Sequence, residues 1–84
     1  MKILKFYAEW CGPCRQLAKN LDKVKESHPD LKVESVDVDG NDELVEKYGI
    51  RNLPVLIKVG EDDSEVSRHV GLLTVSDLEK FIFG

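Results

Sequence analysis

Apolar and polar positions follow one another along the chain in a pattern that predicts alternating strands and helices. Residues 2–8 are apolar on both faces, as expected of a strand covered by helices on both sides. A helix is predicted directly after this strand, because apolar residues recur at helical spacing until a His-Pro-Asp turn at 28–30. The apolar stripe of this helix consists of Cys14, Leu17, Ala18, Leu21 and Val24.

The middle of the chain predicts a second strand and a short helix. Residues 31–38 begin with alternating apolar and polar side chains, which indicates a strand. The Asp-Gly-Asn-Asp turn at 39–42 is expected to cap the short helix, and Gly49 is expected to end it. The apolar positions of this helix are Leu44, Val45 and Tyr48.

The last third of the chain predicts a hairpin and a final helix. Residues 55–59 and 65–70 have the composition of strands and are joined by a polar turn. The final helix is expected to begin near Thr74 or Ser76, because each is followed three residues later by an acidic residue. It is expected to bury Leu78, Phe81 and Ile82.

The order β-α-β-α-β-β-α predicts an α/β fold with one four-stranded mixed sheet and helices on both faces. The first two strands are expected to form a right-handed parallel pair, and the last two an antiparallel pair. A chain of 84 residues has room for one modest core, so residues 1–84 are expected to form a single domain.

Charge and hydropathy narrow the range of partners. The net charge of −4 disfavours binding to nucleic acid or to an anionic membrane and suits a basic partner surface better. The apolar N-terminal stretch is interrupted by Lys2, Lys5 and Glu9, so neither a signal peptide nor a transmembrane span is expected. The sequence therefore predicts a monomeric cytoplasmic protein.

The most informative segment is Trp10-Cys11-Gly12-Pro13-Cys14. Two thiols three positions apart can open and close a small disulfide ring at the start of the first helix. Unpaired N–H groups and the helix dipole stabilise a thiolate there, and the thiolate is the form that attacks a disulfide. Pro13 suits the first helical turn, and Gly12 lets the backbone turn between the two sulfurs.

Two other uses of this cysteine pair are less consistent with the sequence. A structural disulfide in a small secreted protein usually comes with further cysteines, whereas this chain has two in all. A zinc site needs two further ligands, and His28 and His69 are too far apart for the usual histidine half-site. Both histidines are expected to face solvent, and no metal is expected.

The segment from Ala8 to Cys14 resembles the active site of the thioredoxin family. The resemblance continues from Tyr48 to Pro54, where the family has a similar stretch that ends in a cis-proline, and through Val70-Gly71. It covers nearly the whole chain in the same order and spacing. The first strand and helix that usually precede the active-site strand are missing, so the chain looks like a minimal thioredoxin, close in size to a glutaredoxin.

This resemblance implies an enzyme that reduces protein disulfides. Cys11 would be the nucleophile at the exposed edge of the site, and Cys14 the inward-facing resolving thiol. The resemblance also implies disulfide-containing protein substrates, a thioredoxin reductase or similar dithiol donor, and no cofactor besides the redox-active disulfide. Carried over position by position, the substrate groove would comprise Trp10, Gly12, Pro13, Leu53, Pro54, Gly71 and Leu72.

Two positions depart from the family pattern. Thioredoxins usually carry a buried aspartate six residues before the nucleophilic cysteine and a lysine partner on the next strand, where this chain has Lys5 and Ser35. The acceptor of the Cys14 proton therefore stays open between Lys5, water and a carboxylate. The candidate carboxylates are Glu9, Glu34 and Asp37.

Lys5 itself has two interpretations. Its ammonium group could reach solvent at the sheet edge and take no part in the chemistry. Alternatively it modulates the dithiol, because a positive charge there would favour the thiolate and make the protein less reducing than an ordinary thioredoxin.

Two alternative functions are consistent with the chain. A glutaredoxin-like protein would use glutathione, although the acidic surface suits the two glutathione carboxylates poorly. An interaction subunit would use the thioredoxin fold to hold a partner without redox chemistry.

Overall fold

The computed structural model describes residues 1–84 and has the predicted order of elements. The strands are β1 (Lys2–Tyr7), β2 (Val33–Asp37), β3 (Val55–Val59) and β4 (Glu65–Val70). The helices are α1 (Gly12–Ser27), α2 (Asp42–Tyr48) and α3 (Val75–Phe83). None of these helices combines the length and the apolar composition needed to cross a membrane.

The four strands form one mixed sheet in the order β2-β1-β3-β4. β1 pairs with β2 in parallel and with β3 antiparallel, and β3 pairs antiparallel with β4. The predicted α/β fold is therefore confirmed. In the parallel pair Lys5 lies opposite Ser35, so the two positions that depart from the family pattern are direct neighbours.

The core has one apolar layer on each face of the sheet, because β1 and β3 send apolar side chains to both faces. The layer beneath α1 and α3 consists of Ile3, Leu17, Leu21, Val24, Leu56, Leu78 and Ile82. The layer on the side of α2 consists of Leu4, Phe6, Val36, Tyr48, Val55, Ile57 and Val59. Because helices cover both faces of the sheet, β1 and β3 have no face that is turned wholly to solvent. Apolar and polar residues therefore need not alternate along these strands.

One boundary and one burial differ from the sequence prediction, and the start of α3 agrees with it. β2 is shorter than the predicted 31–38, although Lys32 and Val38 each still form one backbone hydrogen bond to β1. Of the two predicted starts for α3, Thr74 is the N-cap, and its hydroxyl accepts a hydrogen bond from the Asp77 N–H. Phe81 is only half-buried, because it lies at the rim of the core against the ring of His69.

Candidate active site

The cysteine pair lies where β1 ends and α1 begins. Cys11 is the N-cap of α1, and its Sγ accepts a hydrogen bond of 3.2 Å from the Cys14 N–H. The two sulfurs form a disulfide, and the Cα atoms are 5.3 Å apart. Pro13 lies in the first turn of the helix, where no N–H donor is needed. This arrangement gives the Cys11 sulfur a backbone donor at the positive end of the helix.

Cys11 is more buried than the sequence predicts. It is 6% exposed, against 3% for Cys14, so the expectation that it lies at an exposed edge is wrong. The reason is that Ala8 and both cysteines form a small apolar cluster, against which Val38 and Leu53 pack. Cys11 lines a groove at the surface.

This groove, the Cys11 groove, has a volume of about 680 Å³. It brings together five predicted site residues, namely Trp10, Cys11, Gly12, Pro13 and Leu53. The other residues that line it were missed by sequence reasoning: Val38, Val45, Ile50, Arg51 and Asn52. Three of these, Ile50 to Asn52, lie within the Tyr48–Pro54 segment that carries the family resemblance. This resemblance is the one sequence signal that could have identified them.

Pro54, Gly71 and Leu72 lie beside the groove and do not line it. The Leu53–Pro54 peptide bond is cis, as the resemblance implies. Gly71 has a φ of +109°, a conformation that glycine adopts readily, and its N–H donates a hydrogen bond of 2.8 Å to the Pro54 carbonyl. Neither backbone group of Leu53 has a partner within the chain, so both are free to pair with a second strand.

Trp10 forms one wall of the groove and is held by a residue that sequence reasoning missed. Its indole N–H donates a hydrogen bond of 3.0 Å to the Asp39 carboxylate. Asp39 follows β2 in the turn that leads to α2, and no motif pointed to it.

Cys14 lines a second cavity, the Cys14 cavity, with a volume of about 400 Å³. No residue lines both cavities. The other residues of the Cys14 cavity are Lys5, Tyr7, Ala8, Glu9, Arg15, Ala18 and Ser35. The two cysteines of the disulfide therefore line two different cavities.

Lys5 is the unusual group of the Cys14 cavity. Its side chain is partly buried, and this burial lowers the pKa of its ammonium group below the ordinary value of 10.5. Unlike Lys2, which is paired with Glu34, it has no hydrogen-bond or ion-pair partner. Its Nζ lies 5.5 Å from the centre of the Tyr7 ring.

Comparison with known proteins places this geometry in a family. The family model described as Thioredoxin matches residues 1–83. The chain belongs to the thioredoxin family. A thioredoxin of Chlamydia trachomatis serovar D is 36% identical over 80 residues, which cover 95% of this chain and 78% of that protein. A thioredoxin of Pseudomonas aeruginosa is 36% identical over 81 residues, which cover 95% of this chain and 74% of that protein.

The structural comparison agrees. The X-ray structure of Fasciola hepatica thioredoxin matches with a TM-score of 0.83 and 32% sequence identity, covering 95% of this chain and 75% of that chain. Together with the Cys11–Cys14 disulfide, these relatives identify the protein as a thiol-disulfide oxidoreductase that reduces protein disulfides. Membership of the thioredoxin family implies disulfide-containing protein substrates and a reductase partner in general.

The structure reduces the number of candidate acceptors for the Cys14 proton. Glu9 lines the Cys14 cavity, as does Lys5. Glu34 is paired with Lys2, and Asp37 accepts a hydrogen bond from the Asp39 N–H. Neither of these two carboxylates lines the Cys14 cavity.

The two histidines are partly exposed, and each also packs against an aromatic ring of α3. His28 lies 4.2 Å from the Phe83 ring, and its Nε2 is 3.4 Å from a Glu79 oxygen. His69 packs edge-on against Phe81. No group of three His, Cys, Asp or Glu side chains is arranged to hold a metal ion.

Proposed function

We propose that Cys11 is the nucleophile of this protein-disulfide reductase and Cys14 the resolving thiol. The observation that carries this assignment is that Cys11 lines the groove and Cys14 does not. The Cys11 thiolate attacks one sulfur of the substrate disulfide, forms a mixed disulfide and releases the first substrate thiolate. The Cys14 thiolate then attacks the Cys11 sulfur and releases the second. The protein ends as the Cys11–Cys14 disulfide, and two electrons have passed to the substrate.

The substrate binds as an extended segment beside the disulfide. The free N–H and C=O of Leu53 offer the edge of an added strand. Trp10, Gly12 and Pro13 line the groove on the cysteine side, and Trp10 offers the largest exposed apolar surface. Pro54, Gly71 and Leu72 flank it, and Leu72 is 47% exposed and available for contact.

Lys5 acts on the resolving step. Its ammonium group and Cys14 line the same cavity, and no carboxylate is paired with it. A positive charge there lowers the free energy of the Cys14 thiolate and so favours its attack on Cys11. The proton leaves through the open cavity, to water or to Glu9.

The electrons come from a thioredoxin reductase or a similar dithiol donor, and the Cys11–Cys14 pair is the only redox group, with no metal or bound organic cofactor. We place the protein in the cytoplasm, because a dithiol reductant is recycled where thiols are kept reduced. It works as a monomer, without nucleic acid or membrane as partner. Cell fractionation and size-exclusion chromatography test the compartment and the monomeric state.

Trapping of the mixed disulfide tests the assignment of the two cysteines. Cys14→Ser should accumulate a stable covalent adduct with a disulfide-containing protein such as insulin, because resolution is blocked. Cys11→Ser should form none, and the double variant is the matched control. Adducts formed by Cys11→Ser and absent from Cys14→Ser would reverse the roles.

Two outcomes would replace the proposed function. Reduction that requires glutathione would support the glutaredoxin-like alternative. A double cysteine variant that keeps full activity in cells would support the interaction subunit.

A further inference from the structure

We propose that Arg51 makes the Cys11 groove select disulfide segments with an acidic side chain about two to three residues from the attacked cysteine. This inference rests on the proposed function and names its substrate class.

Arg51 is the only charged side chain among the residues that line the Cys11 groove. It is exposed, and it is the one arginine of three that has no hydrogen bond or ion pair within the chain. Arg15 donates to the Glu9 carbonyl, and Arg68 donates to Glu65 and to the Tyr48 carbonyl. The guanidinium of Arg51 is therefore free to pair with a bound molecule.

The surroundings of Arg51 strengthen such a pair. The groove is lined by the apolar side chains of Val38, Val45, Ile50 and Leu53, which keep part of the water away when a segment binds. The carboxylate of Asp39, the residue after Val38, accepts the Trp10 indole N–H and is not paired with Arg51. A planar guanidinium also offers two parallel donors to a carboxylate.

The spacing along the chain sets where the acidic residue lies. Arg51 is two residues before Leu53, whose backbone groups are free to pair with an added strand. Leu53 packs against the cysteine pair, so a substrate residue that pairs with it is the attacked cysteine or its neighbour. Arg51 lines the same groove from an irregular segment two residues away, and its long side chain reaches substrate residues two to three positions from the attacked cysteine.

The preference is local, because the whole protein carries a net charge of −4 and repels acidic molecules at long range. Added salt weakens a pair between exposed charges. We therefore expect the selection of acidic segments to decrease as ionic strength rises.

The test uses disulfide-linked peptides that differ at one position, with Glu, Gln or Lys two residues from the reactive cysteine. The reduced protein should react fastest with the Glu peptide, about two- to fivefold faster than with the Gln peptide, and slowest with the Lys peptide. Arg51→Gln should abolish the advantage of the Glu peptide over the Gln peptide, and Arg51→Glu should make the Lys peptide the fastest. Lys80→Gln, the same loss of charge at an exposed position on α3, should keep the wild-type order.

Equal rate constants for the three peptides with the wild-type protein would overturn the inference alone. So would a preference for the Glu peptide that persists in Arg51→Gln. If the wild-type protein reduced none of the peptides, including the neutral one, the proposed function would fail, and the inference with it.

Discussion

Trp10 donates its indole N–H to the Asp39 carboxylate at 3.0 Å, although Trp10 is 70% exposed. This contact joins the active-site turn to the segment that follows β2. A large aromatic wall of the Cys11 groove is thereby held in one orientation, which an unrestrained exposed side chain would not keep.

Asp39→Ala should release the Trp10 indole. We expect kcat/KM for protein disulfides to fall about two- to fivefold. The hydrogen bond from Trp10 to the charged Asp39 carboxylate is partly exposed, so it contributes at most about 1 kcal/mol. Trp10 is the only tryptophan, so its fluorescence reports the change directly. Asp30→Ala removes the same charge at an exposed position and should change neither quantity. An unchanged Trp10 emission spectrum in Asp39→Ala would show that the contact does not orient the ring in solution.

Lys5→Met should make the protein more reducing. Loss of the ammonium group from the Cys14 cavity disfavours the thiolate and so destabilises the reduced form, and we expect the reduction potential to fall by about 10–30 mV. Lys5→Arg keeps the charge and should stay close to wild type. Equilibration with a glutathione buffer gives the potential, and ultraviolet thiolate absorbance gives the ionised fraction. If Lys5→Met and wild type have the same potential, Lys5 takes no part in the redox chemistry.

Lys5→Met should also stabilise the oxidised protein at neutral pH. Burial lowers the pKa of the Lys5 ammonium group in the folded state below 10.5, while Asp22 acts in the opposite direction and Lys25 in the same one. At pH values below the pKa of Lys5 in the folded protein, Lys5 is protonated in both the folded and the unfolded state. The free-energy cost of burying its charge is then present in full. As pH rises from the folded pKa towards 10.5, the folded state loses its proton first and this cost disappears.

The gain in the free energy of unfolding should therefore be largest at neutral pH, about 0.5 kcal/mol because solvent screens the partly exposed side chain, and should shrink as the pH approaches 10.5. Urea unfolding at several pH values measures it, and the oxidised protein is used so that the cysteines do not titrate. A gain that grows with pH would contradict the burial of a charged Lys5.

Gly49→Ala should destabilise the fold by roughly 1 kcal/mol, because Gly49 ends α2 with a φ of +62°, which costs little for glycine alone. Its N–H donates hydrogen bonds to the carbonyls of Glu46 and Val45, so the conformation is fixed. Gly12→Ala is the control: Gly12 lacks a positive φ, and an added Cβ meets no atom within 4 Å. Thermal unfolding should show a lower Tm for Gly49→Ala only, and equal Tm values would show that the end of α2 can readjust.

The sequence was sufficient to predict the order of the elements, because each strand or helix is bounded by a recognisable turn. Gly49 at the end of α2 and Thr74 at the start of α3 are local signals that act in the structure as they do in short peptides. The ends of β2 were harder to predict. Backbone hydrogen bonds of Lys32 and Val38 extend beyond the regular strand, so its boundary has no sharp signal in the side chains.

The site could be predicted only in part. Cys11, Cys14 and the cis Leu53–Pro54 bond belong to segments that carry the family resemblance. The contributions of Val38 and Asp39 depend on sheet pairing, since the Val38 N–H bonds to the Tyr7 carbonyl and brings the end of β2 beside the active-site turn. The burial of Cys11 likewise comes from contacts across the fold, which no local pattern reports.

The placement of the two sulfurs on two cavities that share no residue has a consequence for how the protein can change. From the proposed roles we expect a substitution at Arg51 to alter which substrates are attacked, and one at Lys5 to alter how readily the bound substrate is released. Evolution or protein engineering should therefore be able to change which disulfides the protein reduces without changing its reduction potential. The potential should likewise be adjustable without a change of substrates.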